Sequence, residues 1–152
     1  MPKRKGNEGM NSAEHREVAC AILIDTRGHF LLQQRDDVFG ILHPGKVGLF
    51  GGHREGDETL LDCIVRELRE ELTYFVPPAR FEHLASVDGR DIDADSGSFS
   101  GDLFIARGIP VDALVVTEGS LLVVRRDEVI TMDQKLTPSA RFAMQFIGTP
   151  GF

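Results

Sequence analysis

The sequence has no apolar run of the length needed to cross a membrane, which takes about 20 mostly apolar residues. Its start, Met1-Pro2-Lys3-Arg4-Lys5, is not followed by the apolar stretch of a secretory leader. A soluble, cytoplasmic protein with no membrane partner is the expectation. Cysteine is scarce. Cys20 and Cys63 stand in strand-like and helix-like apolar contexts and read as buried, reduced thiols. Positive charge is also in short supply, with 17 Lys and Arg against 24 Asp and Glu and a net charge of −7. A general nucleic-acid binder draws its affinity from Lys and Arg, so nucleic acid is not an expected partner. A small anionic substrate remains compatible, because bound cations supply positive charge locally.

What is present is an ordinary globular composition over 152 residues, enough for one domain with a core. Residues 1–14 are polar and lack periodicity, and they read as a flexible N-terminal tail. Residues 15–152 read as a single domain.

The densest chemistry lies in residues 51–74, a glycine-containing loop running into one amphipathic helix. Asp57 follows the Gly56 break as a candidate N-cap. Leu61, Ile64, Val65, Leu68 and Leu72 recur at helical spacing as an apolar stripe. Glu67, Glu70 and Glu71 fall together on another face, roughly 120° round the helix. Carboxylates at i, i+3 and i+4 repel, and the last turns of a helix favour cations. A solvated acidic face eased by Arg66 and Arg69 is one account. A divalent cation held by hard oxygens is the other.

The wider spacing decides between them. Gly52, five residues, Glu58, seven residues, then Arg66-Glu67-Leu68-Arg69-Glu70-Glu71 resembles the Nudix box, G-x5-E-x7-R-E-U-x-E-E-x-G-U, where U is a bulky apolar residue. One position departs: Thr73 stands where the box has glycine. The resemblance implies an α/β Nudix fold, a mixed β-sheet sandwiched between α-helices. It also implies metal binding by Glu67, Glu70 and Glu71 and by the carbonyl of Gly51. Gly52, Glu58 and Arg66 would be structural, with Glu58 and Arg66 as an ion pair bracing the loop against the helix. His53 would border the site, although an exposed, non-catalytic histidine is the simpler reading.

Around the box, residues 16–24 and 29–35 read as a hairpin turned at Asp25-Thr26-Arg27-Gly28. Arg35 ends its second strand. It reads either as a surface cation beside Asp36 and Asp37 or, by the same resemblance, as a phosphate-binding guanidinium. Residues 36–46 form a loop, and 47–50 a short strand leading into Gly51-Gly52. Pro77-Pro78 breaks the chain after the helix, and strands follow at 81–87, 98–106 and 121–124. Asp91, Asp93 and Asp95 have the spacing of a calcium loop. However, Ser96 stands at the sharp-turn position and the flanks read as strands, so a polar hairpin loop is expected. Residues 109–116 have no clear pattern. Glu118-Gly119 matches a position that, in some MutT-like members, supplies a further carboxylate to the metals. A short helical turn follows at 127–130. Thr137-Pro138 starts a last helix whose buried face is Ala140, Phe142, Ala143, Phe146 and Ile147.

The resemblance therefore implies a Mg²⁺-dependent hydrolase, with Mn²⁺ as a substitute, cleaving a pyrophosphate bond in a nucleoside diphosphate linked to X. Glu67 is the favoured general base and Glu118 the second. A nucleoside triphosphate is the preferred small-molecule substrate, and a nucleotide sugar is the alternative. A non-catalytic nucleotide sensor is the alternative of another class, and a homodimer is left open.

Overall fold

Strand β1 (His15–Asp25) carries the sheet, because β2, β4 and β6 all pair with it and α1 packs on it. The computed structural model describes residues 15–90 and 97–148. The expected tail and the loop with Asp91, Asp93 and Asp95 lie outside the described residues. β1 is followed by a turn in which the Asp25 carboxylate accepts from the N–H groups of Arg27 and His29, at 2.8 and 2.9 Å. This side-chain mimicry of a backbone turn is why Asp suits the position. β2 (Phe30–Gln34) returns antiparallel, pairing Leu31 with Leu23 and Phe30 with Ile24.

The short strand expected at 47–50 divides into β3 (Val47–Gly48) and β4 (Phe50–His53). β3 continues the pairing with β2, whereas β4 moves to the N-terminal half of β1, where Gly51 faces Cys20 and Gly52 faces Ala19. β6 (Ser98–Ile109) runs parallel to β1, β5 (Glu82–Arg90) lies antiparallel on β6, and β7 (Ser120–Val124) pairs with β2. The result is a seven-stranded mixed sheet.

Alternation along the strands creates two cores. Ala19, Ala21, Leu23 and Leu31 face helix α1 (Leu60–Leu72), packing on Ile64, Leu68 and Leu72. Ile22, Phe30, Leu32 and Ile105 face the other way, towards Ala140 and Ala143 of helix α3 (Pro138–Met144). A four-residue helix, α2 (Arg126–Val129), lies between β7 and α3. The α/β class with a sheet between helices is the observed architecture.

Two local expectations need correction. The N-cap of α1 is Thr59, not Asp57. The Thr59 hydroxyl accepts from the Asp62 N–H at 3.0 Å, and the Asp62 carboxylate accepts from the Thr59 N–H at 3.3 Å. That reciprocal box needs an acid three residues after the cap, which Thr59 has and Asp57 lacks. The buried stripe of α1 is also rotated: Cys63 is fully buried, while Leu61 and Val65 are half-buried. At α3 the cap is as expected, with the Thr137 hydroxyl accepting from the Ala140 N–H at 3.2 Å and Pro138 in the first turn. The helix ends at Met144, so Phe146 and Ile147 pack from the turns beyond it.

Candidate active site

Helix α1 presents Glu67, Glu70 and Glu71 toward the β4 edge of the sheet. The reason is geometric: Leu68 and Leu72 are buried on the sheet, so Glu67 and Glu71, one position before each, flank the contact, while Glu70 lies further out against Arg66. The Glu71 carboxylate accepts from the Gly51 N–H at 3.0 Å. Gly51 has φ +149°, and a side chain there would meet the Ala19 carbonyl at 2.2 Å. At Gly52 a Cβ would lie 2.4 Å from the Glu67 carboxyl carbon. The two glycines thus clear space for β1 on one side and for a glutamate on the other.

Arg66 is the hub between loop and helix. Its Nε and Nη2 donate to the two Glu58 oxygens at 3.0 and 2.7 Å, a bidentate pair. Nη2 also donates to the His53 carbonyl at 2.9 Å. Nη1 donates to Glu67 at 3.0 Å and to Glu70 at 3.3 Å. The guanidinium holds the Glu58 carboxyl down at about 2, and burial opposes it only in part. His53 is exposed, with its ring Nε2 3.0 Å from Arg16 Nη1.

Charge balance fails further along the helix. Burial, followed by the neighbouring charge of Glu67, pushes the Glu71 carboxyl up to about 8, against the hydrogen bond from Gly51, which pulls it down. Glu118 and Glu70 add to the upward push. Glu67 is raised as well, chiefly by burial, with Arg66 opposing. The Glu118 charge therefore reaches the helix face from far downstream. Its route is built from hydrogen bonds. The Val115 and Thr117 N–H groups donate to the carbonyls of Leu72 and Glu71, both at 2.9 Å. The Thr117 hydroxyl donates to the Glu70 carbonyl at 2.9 Å, and the Thr73 hydroxyl to the Val115 carbonyl at 2.9 Å. The unpatterned residues before Glu118 thus cap the end of α1, whose last carbonyls lack helical partners.

On the other side of Glu118, Gln33 Nε2 donates to its carbonyl at 3.1 Å. Gly119 has φ +63°, and a Cβ there would fall 2.4 Å from the Gln34 carbonyl. This close approach puts Glu118 in one recess with Gln33, Arg35, Asp36 and Ile41. A second cavity, about 200 Å³ and largely apolar, opens against the opposite face of the sheet, between Val18, Cys20, Leu49, Phe99, Leu103 and Phe142. Leu49 and Cys20 connect its walls to the strand pair that holds Gly51.

All the box residues named from the sequence are therefore gathered at one edge of the sheet, and Arg35 and Glu118 meet beside it. The tethering roles of Thr73, noted from the sequence only as the departure from the box, and of Thr117 were missed. Each acts through hydrogen bonds to a segment remote in sequence, and neither carries a local signal. Among the described residues, no three His, Cys, Asp or Glu side chains form a ready-made metal cage. Glu71 is turned to Gly51, and Glu67 and Glu70 to Arg66. The donor set still fits a hard divalent cation: the donors are carboxylate oxygens, and burial, followed by the charge of Glu67, lifts Glu71 out of the usual carboxylate range.

The NUDIX domain family model matches residues 14–105. That span is more than half of the chain and contains the whole box, so the chain belongs to the Nudix family. A MutT NUDIX hydrolase from Burkholderia pseudomallei is 24% identical, with 88% of this chain and 98% of that one covered at a TM-score of 0.69. A MutT protein from Methanosarcina mazei Go1 is 19% identical, with 89% and 94% covered at 0.70. The NUDIX domain of Shewanella oneidensis NrtR, complexed with ADP ribose, is 21% identical, with 87% and 85% covered at 0.65. These likenesses establish the fold. No curated protein matches the sequence.

Proposed function

We propose that the chain is a divalent-metal-dependent hydrolase that cleaves a pyrophosphate bond in a nucleoside diphosphate linked to X. The observation that carries this reading is geometric: the Glu71 carboxylate sits on the Gly51 N–H, the Glu67 carboxylate packs against Gly52, and Glu118 is delivered to a recess beside them with Arg35. Such a site is short of positive charge, and a divalent cation would supply it. Glu67, Glu70, Glu71 and Glu118, with the Gly51 carbonyl, would hold Mg²⁺, with Mn²⁺ as a substitute. When bound, the ion neutralises phosphate oxygens and lowers the pKa of coordinated water.

The residues of the chain supply the rest. Burial raises Glu67, which makes its carboxylate a better proton acceptor, and we assign it the proton of the attacking water. Glu118 is the second candidate for that step. Arg66, clamped by Glu58, fixes the Glu67 carboxylate and sets its direction. Arg35 faces the recess beside Glu118 and binds a substrate phosphate. The apolar cavity with Phe99 and Phe142 suits a nucleobase. A nucleoside triphosphate and a nucleotide sugar both belong to this substrate class.

The test is a panel of nucleotides, dinucleotides and nucleotide sugars with Mg²⁺ or Mn²⁺ and product identification. Cleavage is expected at a pyrophosphate bond, abolished by chelator and reduced by orders of magnitude in Glu70→Gln. Nucleotide binding without any product over hours would instead establish a sensor.

A further inference from the structure

The loop after β2 is closed at its base and open at its tip. The Arg35 N–H donates to the Lys46 carbonyl at 2.9 Å, and the Gly45 N–H to the Asp36 carbonyl at 3.0 Å. Gln34 Nε2 adds a bond to the Gly45 carbonyl at 3.0 Å. Beyond this clasp stand four apolar side chains in five positions: Val38, Phe39, Ile41 and Leu42, exposed by 50, 105, 38 and 50%. Each keeps apolar surface in water that a bound group would remove. A contiguous apolar tip on an acidic protein therefore marks a surface that works when covered.

Two observations say what covers it. Ile41 lines the same recess as Arg35 and Glu118, so the apolar tip is continuous with the candidate active site. Arg35 Nε donates to the Leu42 carbonyl at 2.7 Å, which ties the phosphate-binding guanidinium to the tip. A group joined to a phosphate at Arg35 emerges beside Ile41.

We infer that the tip is the subsite for X, and that X carries a planar aromatic ring attached through the diphosphate. This rests on the hydrolase reading above. Phe39 stacks on that ring, and Ile41 and Leu42 close its edges. A nucleoside triphosphate would place only phosphate there, which gains nothing from four apolar side chains. A sugar would set hydroxyls against apolar side chains that return no hydrogen bond. A ring gains both burial and stacking.

The chain contains no tryptophan, so Phe39→Trp gives a single fluorescent reporter at the tip. The probes are a dinucleoside diphosphate, a nucleoside triphosphate and inorganic pyrophosphate, each with Mg²⁺. The dinucleotide is expected to shift the emission to shorter wavelength and shield it from a soluble quencher, and the other two are not. In Phe39→Ala, the ratio of kcat/KM for dinucleotide over triphosphate is expected to fall at least tenfold, through KM. An unchanged ratio, a silent reporter during dinucleotide turnover, or a dimer lost in Phe39→Ala would each overturn the subsite and leave the hydrolase standing. A responding reporter with no cleavage of any probe over hours would overturn hydrolysis and retain the subsite. Neither response nor cleavage would overturn both.

Discussion

Replacing Glu71 with Gln removes a charge from the site and leaves an oxygen to accept from Gly51. Its effect on stability follows from the position of that carboxyl. In the folded chain it titrates at about 8, against an ordinary value of 4.5. A raised acid favours the native state at low pH, where it is protonated in both states. The advantage is lost as pH rises from 4.5 through 8, because the native state must then give up a proton that it holds tightly. The full displacement corresponds to about 5 kcal/mol as an upper bound, and solvent relaxation around the carboxylate brings the measurable part to roughly 2 kcal/mol. Urea unfolding in chelator, at intervals between about pH 4 and about pH 8.5, measures it. Titrating groups common to both proteins cancel in the difference between wild type and Glu71→Gln. The two proteins are expected to be equally stable near pH 4, and the variant more stable by roughly 2 kcal/mol at about pH 8.5. Adding Mg²⁺ should stabilise the wild type and close the gap, while hydrolysis by the variant stays lost. If Glu71→Gln were the less stable protein at pH 8.5 in chelator, the charge deficit at the heart of the proposed site would not exist.

Gly52→Ala should cut kcat at least tenfold with a small change in unfolding midpoint, because its Cβ would sit 2.4 Å from the Glu67 carboxyl carbon and push that side chain away; steady-state kinetics with thermal melting checks both. Arg66→Met strands Glu58 and frees Glu67 and Glu70, and denaturant titration should record a loss of about 3 kcal/mol. The Glu58 carboxyl, held at about 2 by Arg66, stabilises the fold fully above 4.5, and that share is lost as pH falls towards 2. Glu58→Gln should therefore flatten the acid limb of the stability curve. Gly119→Ala should lower turnover more than stability, since its Cβ meets the Gln34 carbonyl at 2.4 Å and shifts Glu118 out of the recess with Arg35.

The sequence made visible what is encoded locally. The box spacing lies within one loop and one helix, the first hairpin announces itself by its Asp-to-Gly turn, and the Thr137-Pro138 start is a two-residue signal. Other features depend on distant partners. Residues 109–116 look patternless because they divide between the end of β6, a tight turn in which the Ala113 and Leu114 N–H groups donate to Pro110 and Val111, and Val115, whose N–H answers the Leu72 carbonyl of α1. Thr73 breaks the glycine rule of the box and still takes φ 55° at the helix exit. Its hydroxyl is fixed to Val115, a compensation that local propensity cannot express. The cap at Thr59 was misplaced by two residues because Asp57 and Thr59 are both good caps, and only the partner three positions on separates them.

The stitches between residues 115–117 and the end of α1 have a consequence for how this chain can change in length. Glu118 is pinned from both sides, by Thr117 to the helix and by Gly119 against β2. One residue inserted between Val115 and Gly119 would slide the carboxylate out of register with Glu71, however well the insert suited a loop. The loop at 36–46 is the opposite case. Its ends are clasped by Arg35, Lys46, Asp36 and Gly45, so its tip can lengthen at little entropic cost without disturbing the carboxylates. Variation in substrate would be written there, and the hydrolytic half of the site would keep a fixed chain length.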